Sequence, residues 1–218
     1  MSMYWYVSTA KIDLLSQQHR NALAAIKDFA VKLKSPVAEA ELRLAVPDPV
    51  LLTKLRQAEN RIVKEANPPS FDVAADEDPP PPYIMFDILG ARMVNKDEFW
   101  LAGHANGVAL VLVGAVKHSF GGVNQQSDMS PSIDPLSAIV ELASGSQSFL
   151  SGPADAAASY AWSTIMRHNG QNKLRLPAVS GLAVTIGVVP AYRSQIRRAG
   201  IPDIEKVIVG TPLYIVQY

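Results

Sequence analysis

The chain has 218 residues, 48% of them hydrophobic, and its formal net charge at pH 7 is zero. That length and apolar content suffice for one sizeable core, whereas the balanced charge argues against a broad nucleic-acid-binding surface. Because the chain contains no cysteine, disulfides, thiolate catalysis and cysteine-ligated zinc are excluded.

The first segment, residues 3–8, is rich in aromatic and β-branched side chains and predicts a strand. The polar residues at 8–13 that follow are interpreted as turn chemistry, with lining of a ligand site as the alternative. The start of the chain lacks the basic and apolar regions of a secretory signal, so we expect a cytoplasmic protein.

Three further elements are predicted before residue 67. Apolar residues at three- and four-residue spacing predict an amphipathic helix over 16–34, and strict alternation predicts a strand with one wet face over 37–46. Asp48 and Pro49 then indicate the start of a second helix that runs to about residue 66. The apolar stripe of that helix consists of Leu51, Leu55, Ala58 and Ile62.

Residues 67–82 hold six prolines and four acids but no basic residue. This composition predicts an acidic proline-rich loop or linker that is extended or disordered and stays outside the core. Docking of the proline run on a partner as a polyproline helix is the alternative. Strand character resumes over 83–94.

The central stretch of the chain predicts a β-hairpin. Asn106-Gly107 lies between two apolar runs, and a type I′ turn requires positive φ at both of its central residues. We therefore predict antiparallel strands over 98–105 and 108–114. The expected register pairs Ala105 with Val108, His104 with Ala109, Ala102 with Val111, and Trp100 with Val113.

Both faces of this predicted hairpin are apolar. One face carries Trp100, Ala102, His104, Ala109, Val111 and Val113, and the other carries Phe99, Leu101, Ala105, Val108, Leu110 and Leu112. The hairpin should therefore be central in a sheet that is covered on both sides. The polar residues and glycines within 99–116 argue against reading this uncharged run as a membrane span.

The C-terminal half predicts a polar loop over 123–135, helices over about 135–143 and 153–168, and strand character around 181–189. Residues 169–170 should close the second of these helices. The last segment, 206–218, predicts a strand that is interrupted at Gly210-Thr211-Pro212 by a bulge or a change of sheet position.

Residues 167–206 carry seven basic residues against two acids. We interpret this excess as a solvated surface, and pairing with the acidic loop or with an anionic ligand is the alternative.

Common catalytic signatures are absent: the chain has no G-x-G-x-x-G, Walker A, G-x-S-x-G or H-E-x-x-H motif. The histidines, His19, His104, His118 and His168, have no second ligand at metal-binding spacing on one predicted element. We therefore expect neither a metal nor a cofactor.

The most suggestive local feature follows the second hairpin strand. Gly114, Lys117, His118 and Ser119 could offer backbone N–H groups and a cation to an anionic ligand. Ser8 and Lys11 are further candidate residues of the same site. The alternative is a plain turn whose polar side chains face water.

Three segments together carry a family resemblance: YVSTAKIDLL at 6–15, LVLVGAVKH at 110–118 and VGTPLYI at 209–215. The ordered trio resembles uncharacterised bacterial proteins that are associated with caspase-like peptidases and TPR proteins in conflict, or defence, systems. That family usually has serine where this chain has Ala115. The resemblance implies a biological context and a partner protein of the same system, but no reaction.

We predict a single α+β domain over 1–218, with a mostly antiparallel sheet and helices packed on it. The function expected is a non-enzymatic sensor or adaptor of a bacterial defence or signalling system that binds a partner protein, a small anionic ligand, or both. The alternative is an enzyme with a site near Lys117, His118 and Ser119 that acts on a phosphate-bearing or other anionic substrate. A third interpretation is a structural subunit that forms homo-oligomers through strand 37–46.

Overall fold

A computed structural model describes residues 3–17, 49–95, 97–119, 138–140, 154–171, 176–197 and 203–218. Together they form a single α+β domain with one seven-stranded, mostly antiparallel sheet, which confirms the predicted fold class. The helices are α1 (Thr9–Gln17), α2 (Pro49–Ala66), α3 (Phe71–Ala74), α4 (Ala154–Gln171) and α5 (Arg193–Arg197). The strands are β1 (Met3–Val7), β2 (Tyr83–Leu89), β3 (Ala91–Asn95), β4 (Glu98–Ala105), β5 (Val108–Ala115), β6 (Ala178–Pro190) and β7 (Lys206–Gln217).

The β4–β5 hairpin forms in the predicted register. Ala105 pairs with Val108 and Trp100 with Val113, and every pair between them matches the expectation. Asn106 and Gly107 have φ values of 46° and 79°, the positive angles that this turn requires.

The two faces of the hairpin belong to two separate parts of the core, as the alternation predicts. Trp100, Val111 and Val113 pack against helix α4, whose Trp162 donates its indole N–H to the carbonyl of Gly103 at 2.8 Å. The opposite face packs against side chains from β1, β2 and α3. Burial on both sides explains why β5 consists of small and apolar residues throughout.

The sheet is strongly curled. Its strand order is β2-β6-β7-β5-β4-β3, so β2 and β3 lie at opposite ends of the order although only Gly90 separates them in the chain. Side chains of β2 such as Phe86 and Ile88 therefore pack in the same cluster as Leu101 of β4. The segment over 83–94, for which the sequence predicts strand character, thus forms two strands, β2 and β3, at opposite ends of the strand order.

Strand β7 changes neighbours along one of its edges. It pairs in parallel with β5 as far as Gly210, and antiparallel with β1 from Tyr214 onward. Its pairing with β6 on the other edge also shifts register near this point. The sequence prediction of a bulge or a change of sheet position at Gly210-Thr211-Pro212 is confirmed in both respects.

Helix α2 is confirmed, and the buried residues on it are Leu51, Leu55, Ala58 and Ile62, the predicted stripe. The turn predicted over 8–13 is wrong, because helix α1 begins at Thr9, directly after β1. The end of α4 is also later than predicted, at Gln171. Residues 138–140 are helical, as the prediction for that region expects.

The prediction that 67–82 stays outside the core is wrong. Phe71 and Ala74 of helix α3 are buried, and Ala75 after them is buried as well. Lys206 donates to the Asp76 carboxylate at 2.7 Å and to the carbonyl of Ala75 at 3.0 Å. An aromatic residue and a small helix thus anchor a segment whose composition indicates disorder.

Several predictions fall outside the described residues: most of the helix over 16–34, the strand over 37–46 with its proposed role in self-assembly, and the loop over 123–135. Within the described part of the chain, no helix combines the length and apolarity needed to cross a membrane.

Two glycines of β6 provide a matched test of how tightly the sheet is packed. A Cβ at Gly181 would overlap the backbone oxygen of Tyr214, whereas a Cβ at Gly187 meets no described atom within 4 Å. We expect Gly181→Ala to lower the free energy of unfolding by about 2–3 kcal/mol, since rigid backbone must move. Gly187→Ala should change it by less than about 1 kcal/mol. Chemical denaturation measures both, and equal effects would contradict the described packing.

Candidate functional site

The three segments of the family resemblance meet at one place, beside the point where β7 changes neighbours. We call this place the junction. Its residues are Tyr6, Ser8, Thr9, Lys11, Gly114, His118, Ser119, Thr211 and Pro212. Residues that are far apart in sequence are thus brought together by the pairing of β1 and β5 with the same edge of β7.

Ser8 forms the corner between β1 and α1. Its backbone N–H donates to the carbonyl of Leu213 at 2.9 Å, which continues the pairing with β7 by one residue. Its carbonyl accepts the N–H of Ile12 at 3.1 Å, which is the first turn of α1. This direct strand-to-helix corner points α1 back across β7.

Lys11, in the first turn of α1, has a buried side chain. Its amine donates to the carbonyl of Pro212 at 2.9 Å and to the hydroxyl of Thr211. Burial lowers the pKa of Lys11 to about 7, far below its usual value of 10.5. Among the described residues no carboxylate pairs with this amine, which is uncommon for a buried lysine.

Tyr6 forms the floor of the junction and was not identified from the sequence. Its phenol is buried, and its oxygen makes hydrogen bonds with the hydroxyl of Ser8 and the backbone N–H of Ala115. Burial raises the pKa of Tyr6, so the phenol stays protonated. A Cβ at Gly114 would overlap this phenol oxygen, so the glycine is needed for close packing of β1 on β5.

The rim of the junction is polar and half-buried. Thr9 places its hydroxyl oxygen 3.4 Å from Nδ1 of His118, and the imidazole meets the Tyr6 ring edge-on at 5.8 Å between centroids. Ser119 donates its hydroxyl to the carbonyl of Val116 at 2.6 Å, which closes the short 3-10 helix Val116–His118. Thr9, His118 and Ser119 are the half-buried polar residues of the junction.

The structure thus brings together five of the six candidate residues: Ser8, Lys11, Gly114, His118 and Ser119. The side chain of Lys117 and residues 120–122 lie outside the described part of the chain.

His104 lies elsewhere, with its ring against Trp162 at 6.0 Å, and burial lowers its pKa. In the described ranges no three His, Asp or Glu side chains group as a metal site would require.

The junction combines two buried groups, the amine of Lys11 and the phenol of Tyr6, with two half-buried groups, the hydroxyl of Thr9 and the imidazole of His118. Such a group can donate and accept hydrogen bonds to a polar ligand or partner surface. The fold and the junction therefore define a single-domain α+β protein with a polar site built from its first and last strands.

Comparison with known families assigns the chain to one of them. The chain belongs to DUF7019, a family of unknown function, whose profile matches residues 2–218. No curated protein and no solved structure matches the chain. The family description names no peptidase, TPR protein or defence system, so the resemblance to proteins of such systems stays a prediction.

The role of the Tyr6 hydroxyl is testable by removing it alone. We expect Tyr6→Phe to lower the free energy of unfolding by about 1–3 kcal/mol, because buried hydrogen-bond partners lose their acceptor. Tyr192→Phe is the matched control, since that side chain is exposed and surface changes are usually within about 0.5 kcal/mol. Thermal and chemical denaturation give both values. If the two variants were equally stable, the phenol would not be holding the junction together.

Proposed function

We propose that this protein is a non-enzymatic sensor or adaptor of a bacterial defence or signalling system. It binds a partner protein at the junction, together with a small anionic ligand. The observation that carries the proposal is the convergence of three distant segments on one polar site.

The arrangement of groups supports binding at the rim. Thr9 and His118 are half-buried, so their polar atoms are within reach of a ligand, whereas Tyr6, Ser8 and Lys11 lie below them and are buried. The buried residues hold the rim in position through bonds to β5 and β7. Ligand sites of this type use few polar groups on a rigid support.

The chemistry of an anionic ligand fits the donors present. The hydroxyl of Thr9 and the imidazole of His118 are both able to donate hydrogen bonds to a phosphate or carboxylate oxygen. Lys117 lies next to His118 in the sequence and adds a cation to the same segment. The defence context of the proposal rests on the family resemblance in the three segments alone.

Partner binding is testable with a photo-crosslinking amino acid at Ala10, which is exposed beside Thr9 and leaves the junction intact. Irradiation in a lysate of the host should give one discrete heavier species. The same amino acid at His168, exposed near the end of α4, is the control and should give none. The Ala10 product should also be lost when Thr9→Val and His118→Ala are added. Equal products at both positions would contradict a partner surface at the junction.

Anion binding is testable with inorganic phosphate and isothermal titration calorimetry. His118→Ala should weaken binding by at least about tenfold, since a hydrogen bond to a charged group contributes about 1.5–3 kcal/mol. His168→Ala is the matched control and should bind as the unchanged protein does. If both histidine variants bind phosphate equally well, the junction is not the anion site.

The second candidate function is an enzyme acting on a phosphate-bearing or other anionic substrate, and the contact between Thr9 and His118 favours it. A hydroxyl beside an imidazole can act as a nucleophile that is activated by a general base. Their 3.4 Å separation is longer than the usual range of about 2.6–3.2 Å, although such distances often shorten when substrate binds. Hydrolysis of p-nitrophenyl phosphate that is lost in His118→Ala and kept in His168→Ala would replace the adaptor proposal with this one.

A further inference from the structure

The edge of β7 at the junction has a gap between two neighbouring strands. Pairing with β5 ends at Gly210 and pairing with β1 begins at Tyr214. Within this gap, the carbonyl of Leu213 accepts the N–H of Ser8, and the carbonyl of Pro212 accepts the amine of Lys11. A lysine side chain thus takes the place that a strand backbone occupies elsewhere along this edge.

The number of hydrogen-bond acceptors around the Lys11 amine matches the number of N–H groups in its neutral form. A neutral lysine amine has two N–H groups, and the structure supplies two oxygens, from Pro212 and Thr211. A charged ammonium has a third N–H, for which the described residues supply no acceptor. The buried site therefore satisfies both N–H groups of the neutral amine and leaves the charged form with one N–H that has no described acceptor.

Among the described residues, the ionisable groups on the surrounding elements do not compensate a charge on Lys11. Asp13 on α1 is paired with Lys54 of α2 at 2.7 Å, and Glu59 of α2 accepts the hydroxyl of Tyr214. The other ionisable groups of the junction whose side chains are described are Tyr6 of β1 and His118, and neither hydrogen bonds to the amine. Burial alone accounts for the lowered pKa of Lys11.

We propose that Lys11 is a proton-sensitive latch that holds the N-terminal arm, residues 3–17, on β7. Protonation of the amine favours release of the arm. The arm includes Ser8 and Thr9, so the latch also determines whether the junction is assembled.

The difference in the pKa of Lys11 between the latched and released states determines how release of the arm depends on pH. Released into water, Lys11 regains its usual pKa of 10.5, whereas the pKa of the latched form is about 7. Between these values the released arm binds one more proton than the latched arm. Release therefore becomes easier as pH falls from about 10.5 to about 7, and changes little below that.

Hydrogen–deuterium exchange at pH 8.0 and 9.5 tests the proposal, after correction for the intrinsic exchange rate. This range lies above that in which histidine ordinarily titrates. The opening constant of peptides within 3–17 should be at least about tenfold larger at pH 8.0. Peptides from the β4–β5 hairpin should show no such change. Equal changes in the arm and the hairpin, or none in either, would overturn the latch.

Two variants test whether the pH dependence of exchange in the arm arises from the Lys11 amine. Lys11→Met keeps the length of the side chain but cannot be protonated, so exchange of the arm should no longer depend on pH in this range. Lys64→Met, at an exposed lysine of α2, is the matched control and should keep the full dependence. Persistence of the dependence in Lys11→Met would overturn the proposal.

A measurement on the unchanged protein covers the case in which Lys11→Met does not fold. Selective ¹³C labelling of lysine followed by NMR titration gives the protonation curve of each side chain. One lysine signal should titrate well below the others, and it is assigned to Lys11 by its contacts with Thr211. Titration of Lys11 at its ordinary value would overturn the latch.

Discussion

The hydrogen-bonding needs of the β7 backbone are the constraint on which the junction depends. Parallel and antiparallel neighbours place their donors differently, so a strand edge that changes from one to the other has a short stretch between the two neighbouring strands. Buried carbonyls in such a stretch must be satisfied by other groups. In this protein the donors are the backbone N–H of Ser8 and the amine of Lys11, which lie in the corner and the first helical turn directly after β1. The strand-to-helix corner, the burial of the lysine and the closeness of the three segments all follow from that one requirement.

Much of the central fold could be predicted because its signals are local. The hairpin depends on a two-residue turn with positive φ and on period-two alternation, and both are visible in the sequence. The stripe of α2 is visible for the same reason. The predictions that were wrong concern segments whose structure depends on contacts with residues distant in the sequence. Helix α3 in a proline-rich acidic segment exists because Phe71 finds an apolar cluster formed by distant strands, and composition carries no information about that contact. Likewise, α1 begins at Thr9 because Ser8 is fixed by β7, so residues that resemble a turn continue as a helix.

The candidate site was predictable in part. The sequence pointed to residues on both sides of the junction, Ser8 and Lys11 from the first segment and His118 and Ser119 from the second, but gave no distance between them. Their meeting depends on β1 and β5 sharing one edge of β7, which is a property of topology. Tyr6 was read as an ordinary strand residue, since only the packed structure shows its phenol against Gly114. The structure adds a role for Gly114, which the sequence suggested only as part of an anion-binding turn: it leaves room for the ring of Tyr6.

The pairing of β1 with β7 also has a consequence for synthesis of the protein on the ribosome. Met3 pairs with Gln217, so the first strand made must wait for the last one before it has a partner. At about 5–20 residues per second, translation of such a chain takes roughly 10–40 s. During that time Trp5 and Tyr6, which are buried in the finished sheet, belong to a nascent strand without its neighbour. The β4–β5 hairpin closes locally and early, whereas the junction is completed only after β7 has been made.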